Sequence, residues 1–223
     1  MNSKPHQKNF SVISGLDMGL FAPEDLETIL HIINKYKVPA TKITSAQRLA
    51  LLGMDKDKMA SLQEELKNYI GTTPENGVTY VQSCPGLEWC KYGIRDSLSL
   101  GKELKNLSMK TPFKAKVKVG VAGCRMCCTE PYVRDLGIFA SKKGWTLVFG
   151  GNGGNNARIA DIVAEGLNDE EVLALAKKCL TVYQEEANPR SRTARFMERF
   201  GIEAFRKRVL EKEEQKDAMP GPR

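Results

Sequence analysis

The chain has 223 residues, 41% hydrophobic and 27% charged, and carries a net charge of +7 from 34 Lys and Arg against 27 Asp and Glu. This is the composition of a globular chain of one or two domains that can bury a core without disulfides, which excludes a disordered protein. No apolar run approaches the ~18 residues of a membrane span, and the start, MNSKPHQKNF, lacks the apolar centre of a signal peptide, so a cytoplasmic protein with no membrane partner is expected.

Residues 1–9 read as a polar start and FSVIS (10–14) as a strand. Pro23, with Glu24 and Asp25 behind it, opens a helix whose apolar residues recur at helical spacing through Lys37. Residues 38–44 are extended. Ser45 is placed to cap a short helix to about Leu52, closed by Gly53, and residues 55–70 form another helix with Met59, Leu62, Leu66 and Tyr69 on one stripe. The turn cluster GTTPENG (71–77) marks a boundary between modules. Beyond it, 78–82 is a strand and 94–107 a helix. KAKVKVGVA (114–122) alternates and is a strand, with Lys114, Lys116 and Lys118 on one face. Residues 136–140 and 146–149 are strands. Residues 156–167, 169–186, 192–200 and 203–215 are helices, and the end is frayed. Strict βαβ alternation is missing, so the fold class is α+β.

The basic balance admits nucleic acid or small anions as partners. The cations are dispersed and aromatics are only 7%, so no nucleic-acid partner is expected. The chemistry lies in the cysteines. Cys84 and Cys90 form C-x5-C, and Cys124 and Cys128 form C-x3-C with Cys127 as an extra thiol. Each group follows a strand. Cys179, among apolar helix neighbours, is a structural thiol. The two histidines, His6 and His31, lie far away in the chain, so a metal here is held by thiolates. Three readings stand at this point: a four-cysteine zinc site, for which C-x5-C is wide; five loop thiols without a metal; and an iron–sulfur cubane, which tolerates wider spacing.

The residues around the cysteines distinguish them. SCPGLEWCKYGIRDS (83–97) and VAGCRMCCTE (121–130) resemble the sirohaem and [4Fe–4S] module of sulfite and nitrite reductases. TSAQRLALLGM (44–54) is similar to that family's ferredoxin-like half-domain motif, GWTLVFGGNGG (144–154) to its strand and glycine loop, and NPRSRTARFMERFGIEAF (188–205) to its C-terminal helices. The resemblance implies a ferredoxin-like half domain over 10–70, a mixed α/β sirohaem and [4Fe–4S] domain over 71–210, and a frayed tail over 211–223. It implies Cys84, Cys90, Cys124 and Cys128 as cluster ligands, with Cys128 also bridging to the sirohaem iron. Arg125 and Met126 depart from the family's usual Pro and Asn, and Cys127 is a possible competitor.

Sirohaem carries many carboxylates and the substrate is an anion, so cations and backbone amides should surround both. The candidates for macrocycle contact are Lys42, Gln47, Arg95, Gly151, Asn152, Gly153 and Arg158; for substrate contact they are Arg48, Lys116 and Lys118. The glycine run predicts a close backbone approach leading into a helix N-terminus near Asn156 that would favour carboxylate. The implied activity is reduction of sulfite to sulfide, or of nitrite to ammonia. No flavin or nicotinamide module is recognisable, so electrons come from a separate ferredoxin-like or flavoprotein donor, and a homodimer is an option for completing the pocket. The rivals are an electron-transfer protein with the cluster alone and a zinc-stabilised binding module.

Overall fold

The computed structural model describes residues 10–12, 18–67 and 74–211. The first unit contains strand β1 (Phe10–Val12), helix α1 (Pro23–Lys35), strands β2 (Ala40–Ile43) and β3 (Leu49–Leu52), and helix α2 (Lys56–Lys67). Its sheet is antiparallel in the order β1-β3-β2, with Leu51 paired to Ser11 on one side and to Thr41 on the other. Pro23 opens α1, and Asp25 Oδ2 accepts from the Ala22 N–H at 3.1 Å. Ile29 and Ile32 of α1 and Leu62 and Leu66 of α2 pack on Leu51. Lys35 Nζ and the Tyr36 hydroxyl both donate to Glu65 across the two helices, at 2.9 and 3.0 Å.

The expected helix from Ser45 to Leu52 is instead a hairpin turn and strand β3. The Thr44 N–H donates to Arg48 O at 2.8 Å, the Arg48 N–H donates back to the Thr44 hydroxyl at 3.2 Å, and Gln47 takes φ +56°. An apolar run such as LALL has no period of its own, and the turn chemistry before it decides in favour of a strand.

The second unit contains strand β4 (Tyr80–Ser83), a short helix α3 (Gly86–Trp89), helix α4 (Ser97–Asn106), strand β5 (Lys118–Ala122), a 3-10 turn (Pro131–Val133), strands β6 (Leu136–Ser141), β7 (Gly144–Phe149) and β8 (Asp161–Leu167), and helices α5 (Asp169–Glu186), α6 (Thr193–Phe200) and α7 (Ile202–Leu210). The sheet runs in chain order from β4 to β8. The strands β4, β5 and β6 are parallel; β7 and β8 are antiparallel to their neighbours.

Alternation along the strands divides this sheet. Ile138, Ala140, Leu147, Phe149 and Val163 face the helices, where Phe149 and Phe205 stack with centroids 4.9 Å apart. Phe139, Val148, Ala122 and Ile162 face the other side, under the cysteine loops. Residues 161–167 were expected to be helical and form β8, with Phe149 opposite Asp161 and Leu147 opposite Ala164. Residues 152–158 close on themselves through a bridge between Asn152 and Arg158, so there is no helix N-terminus at Asn156. Strand β5 is shorter than expected and begins at Lys118, although burial still alternates before it: Val117 is buried, Lys114 and Lys116 are exposed. No described helix is long and apolar enough to cross a membrane.

Candidate metal centre and anion cavity

Parallel pairing of β4 with β5 sets Ser83 opposite Val121, so both cysteine loops leave the same end of adjacent strands. The Cys84 N–H donates to Val121 O at 3.2 Å, and the Gly123 N–H donates to Cys84 Sγ at 3.1 Å. Helix α3 is the turn that carries the chain from Cys84 to Cys90, with the Cys90 N–H bonded to Gly86 O at 3.0 Å. The Ile94 N–H then donates to Gly123 O at 2.9 Å and lays the first loop on the second. This contact needs glycine: a Cβ on Gly123 would lie 2.7 Å from Arg95 O and 2.9 Å from Gly86 Cα.

The second loop makes two left-handed steps, at Cys127 (φ +53°) and Glu130 (φ +54°), and the Glu130 N–H donates to Cys127 O at 2.8 Å. Cys127 is half-buried against the patch formed by Cys84, Ala122, Phe139 and Val148, whereas Cys128 is exposed. Burial pushes the Cys127 thiol up, with further increments from Cys124, Cys128 and Cys84, so the thiols of the two loops stand within electrostatic reach of one another. All six cysteines are free. Among the described residues no three His, Cys, Asp or Glu side chains close on a single ion. Cys179 is fully buried in α5, and burial holds its thiol far above the ordinary range.

Beside these loops lies a cavity of about 540 Å³ lined by Lys118, Arg134, Arg190, Arg192 and Arg195, with Glu198 the one carboxylate among its lining residues and residues 152–156 forming a wall. It adjoins the second loop through Arg134, whose Nε donates to Thr129 O at 3.2 Å and whose guanidinium pairs with Glu130 at 2.7 Å. Lys118 is half-buried; burial lowers its pKa, as does neighbouring Arg192, while Asp135 works in the opposite sense.

The other expected site residues have definite places. Asn152 and Gly153 line the cavity with Lys118. Gly151 does not, but a Cβ there would lie 2.5 Å from Tyr132 O and from Arg134 O, so its bareness seats the loop on the 3-10 turn. Arg158 braces the same loop, donating to Gly150 O at 2.8 Å and pairing with Asp161 at 2.6 Å. Gln47 clasps the strand before Cys84, accepting from the Ser83 N–H at 3.0 Å and donating to Ser83 O at 3.1 Å. Arg48 donates to Thr79 O and lies 5.6 Å from the centroid of the Tyr80 ring; burial lowers its pKa. Lys118 Nζ lies 6.0 Å from the same ring, so Tyr80 links the two cations. Arg95 pairs with Asp169 at 3.3 Å and faces Trp145. Lys42 and Lys116 are exposed, outside the cavity lining. Sequence reasoning missed Arg134, Arg190, Arg192 and Arg195. The run PRSRTAR (189–195) carries three of them and was the available signal.

Residues 75–217 match the nitrite and sulphite reductase 4Fe-4S domain, and residues 4–69 match the nitrite/sulfite reductase ferredoxin-like half domain. The chain belongs to the nitrite and sulfite reductase family. It is 42% identical over 201 residues to an assimilatory-type sulfite reductase of Nitratidesulfovibrio vulgaris, covering 90% of this chain and 92% of that one. It is 36% identical to the large subunit of the NADH nitrite reductase of Escherichia coli, over 85% of this chain but only 23% of the relative. Among solved structures, dissimilatory sulfite reductase I shares the fold with a TM-score of 0.77 at 13% identity, covering 96% of this chain and 71% of that one. The protein is therefore an oxidoreductase, and its cofactors are a [4Fe–4S] cluster and sirohaem. The residues present fit both: thiols from two touching loops for the cluster, and an adjoining cationic cavity for a carboxylated group or an anion.

Proposed function

We propose that the protein reduces sulfite to sulfide, taking six electrons from a separate donor protein. The observation that carries this reading is the cavity lined by five cations beside the cysteine loops. The higher identity to the sulfite reductase relative, 42% against 36% for the nitrite reductase large subunit, supports sulfite over nitrite. Cys84, Cys90, Cys124 and Cys128 would hold the cluster. Of the two candidates at the end of the second motif, Cys128 is the exposed one and is free to meet sirohaem, while Cys127 is turned to the apolar patch. When bound, sirohaem and the cluster would supply the redox chemistry that the chain's own side chains lack. Lys118, Arg134, Arg192 and Arg195 offset negative charge on the anion and on macrocycle carboxylates. Lys118 Nζ, its pKa lowered by burial, is the cavity group best suited to give up a proton as oxygen leaves. The test is anaerobic oxidation of reduced viologen with sulfite and with nitrite. Turnover with sulfite at the higher kcat/KM is expected; turnover with nitrite alone would replace this reading with the nitrite one.

A further inference from the structure

One carboxylate organises the cationic cavity from behind. Asp135 is 0% exposed. Its Oδ2 accepts from the Lys118 N–H at 2.9 Å and from Arg192 Nη2 at 2.5 Å; its Oδ1 accepts from Arg192 Nε at 3.1 Å and from the Thr193 hydroxyl. These four bonds fill the acceptor sites of an ionised carboxylate. The main chain is engaged as well. The Gly150 N–H donates to Asp135 O at 2.9 Å, and the Gly151 N–H donates to Arg134 O at 2.9 Å. The strand that carries Lys118, the segment that carries Arg134, the glycine loop and the start of α6 all meet at this one residue.

We propose that Asp135 is a positioning residue for anion binding, one that aims Arg192 and anchors the strand of Lys118 so that the cavity's cations converge on a single oxyanion. The proposal rests on the anion-binding reading of the cavity given above. It makes a distinctive claim because two effects of removing the carboxylate have opposite signs. Taking a negative charge out of a cationic site strengthens anion binding by Coulomb's law alone. An amide at the same place has one acceptor oxygen instead of two, and its NH2 would confront the donors of Arg192. The guanidinium fork, whose Nη1 takes no part in the pairing with Asp135, then loses its aim, and an Arg binds an oxyanion in two-pronged fashion only when the fork is oriented. The geometric effect outweighs the Coulombic one.

The experiment is equilibrium titration of sulfite into the anaerobic holoprotein, read by calorimetry, beside the steady-state split between KM and kcat. Asp135→Asn is expected to bind sulfite about tenfold more weakly in spite of its added positive charge, with the loss falling on KM. Arg192→Lys keeps the charge but loses the fork, and is expected to weaken binding comparably. The double variant should be little worse than either single, because the two changes remove one arrangement. Thr193→Val leaves the charge unaltered, should weaken binding by a smaller factor, and decides the matter if Asp135→Asn fails to fold. Unchanged or tighter binding by a folded Asp135→Asn, or by Thr193→Val where that variant decides, would overturn the proposal. Failure of the wild-type holoprotein to bind sulfite at all would instead overturn the reading of the cavity, and with it this inference.

Discussion

The residue Lys118 couples position to pH. Burial lowers its pKa, and Arg192 adds to the effect. The unfolded chain therefore holds this proton more firmly than the folded one. In the window between the lowered value and the ordinary lysine value, stability rises with pH; below that window the cost of keeping Lys118 charged is fully present. Anion affinity moves the other way, fading at high pH sooner than an exposed lysine would allow. Sulfite affinity followed from neutral to alkaline pH should show this limb, and Lys118→Arg should move it upward because guanidinium keeps its proton. An identical limb in the variant would remove Lys118 from the site. The cysteines make a second residue-level contrast. Cys90→Ser should lose most of the iron, whereas Cys179→Ala should keep it and cost about 1 kcal/mol of stability as a small core cavity. Iron and acid-labile sulfide analysis checks both. That the two cysteine groups sit on loops leaving adjacent strands was legible in part, because a strand running into a cysteine motif is a local pattern. The arginines were not, since Arg134 and Arg192 acquire their role only when the turn after the second cysteine loop meets the start of α6, and their side chains look the same in sequence as solvated surface charge.

At the level of elements, the two cysteine loops meet through a close glycine contact. Gly123→Ala puts a methyl 2.7 Å from Arg95 O and 2.9 Å from Gly86 Cα, both backbone atoms that cannot swing aside. The loops must part, at a cost of roughly 1–3 kcal/mol, and cluster loading should fall. Gly153→Ala is the control for the cluster: its methyl would meet Val133 at 3.6 Å, an ordinary contact away from the cysteine loops, and acid-labile sulfide should be unchanged. Equal sulfide in the two variants would mean that the loops tolerate separation. Elements also show where periodicity misleads. Helices α1 and α5 were readable because their length and first-turn chemistry agree: Pro23, Glu24 and Asp25 open α1, and Asn168 with Glu171 caps α5 through bonds of 2.8 and 2.9 Å. The segments 49–52 and 161–167 were misread because both are short and apolar enough for either state. What settles them is strand pairing, with β1 and, across the 44–48 hairpin, with β2 in one case and with β7 in the other.

For the whole molecule, the question is how firmly the two sheets are joined. The fold class and the order of the modules were legible from motif and turn placement, but the joint was not, because nothing in the sequence of TSAQR (44–48) says which strand its polar side chains meet. It is a hairpin tip that docks on the strand leading to Cys84: Gln47 clasps Ser83, Gln82 Nε2 donates to Ser45 O, and Arg48 reaches Thr79 O. One apolar side chain, Met18, joins these polar contacts by burying itself in the core of the second unit, whereas Ile29, Leu51 and Leu62 keep to the core of the first and Trp145, Phe149 and Phe196 to that of the second. A mainly polar joint between two separate cores opens at lower free energy than either core melts. The Ser83 amide, which donates to Gln47 Oε1 across the joint, should thus exchange with deuterium faster than the amides of β6 and β7. Gln47→Ala should accelerate it further while β6 and β7 keep their rates, since the side chain touches only the joint. Native-state hydrogen exchange measures this directly. Exchange of the Ser83 amide at the same rate as β7, in both wild type and variant, would show that the joint holds until the molecule unfolds as a single body.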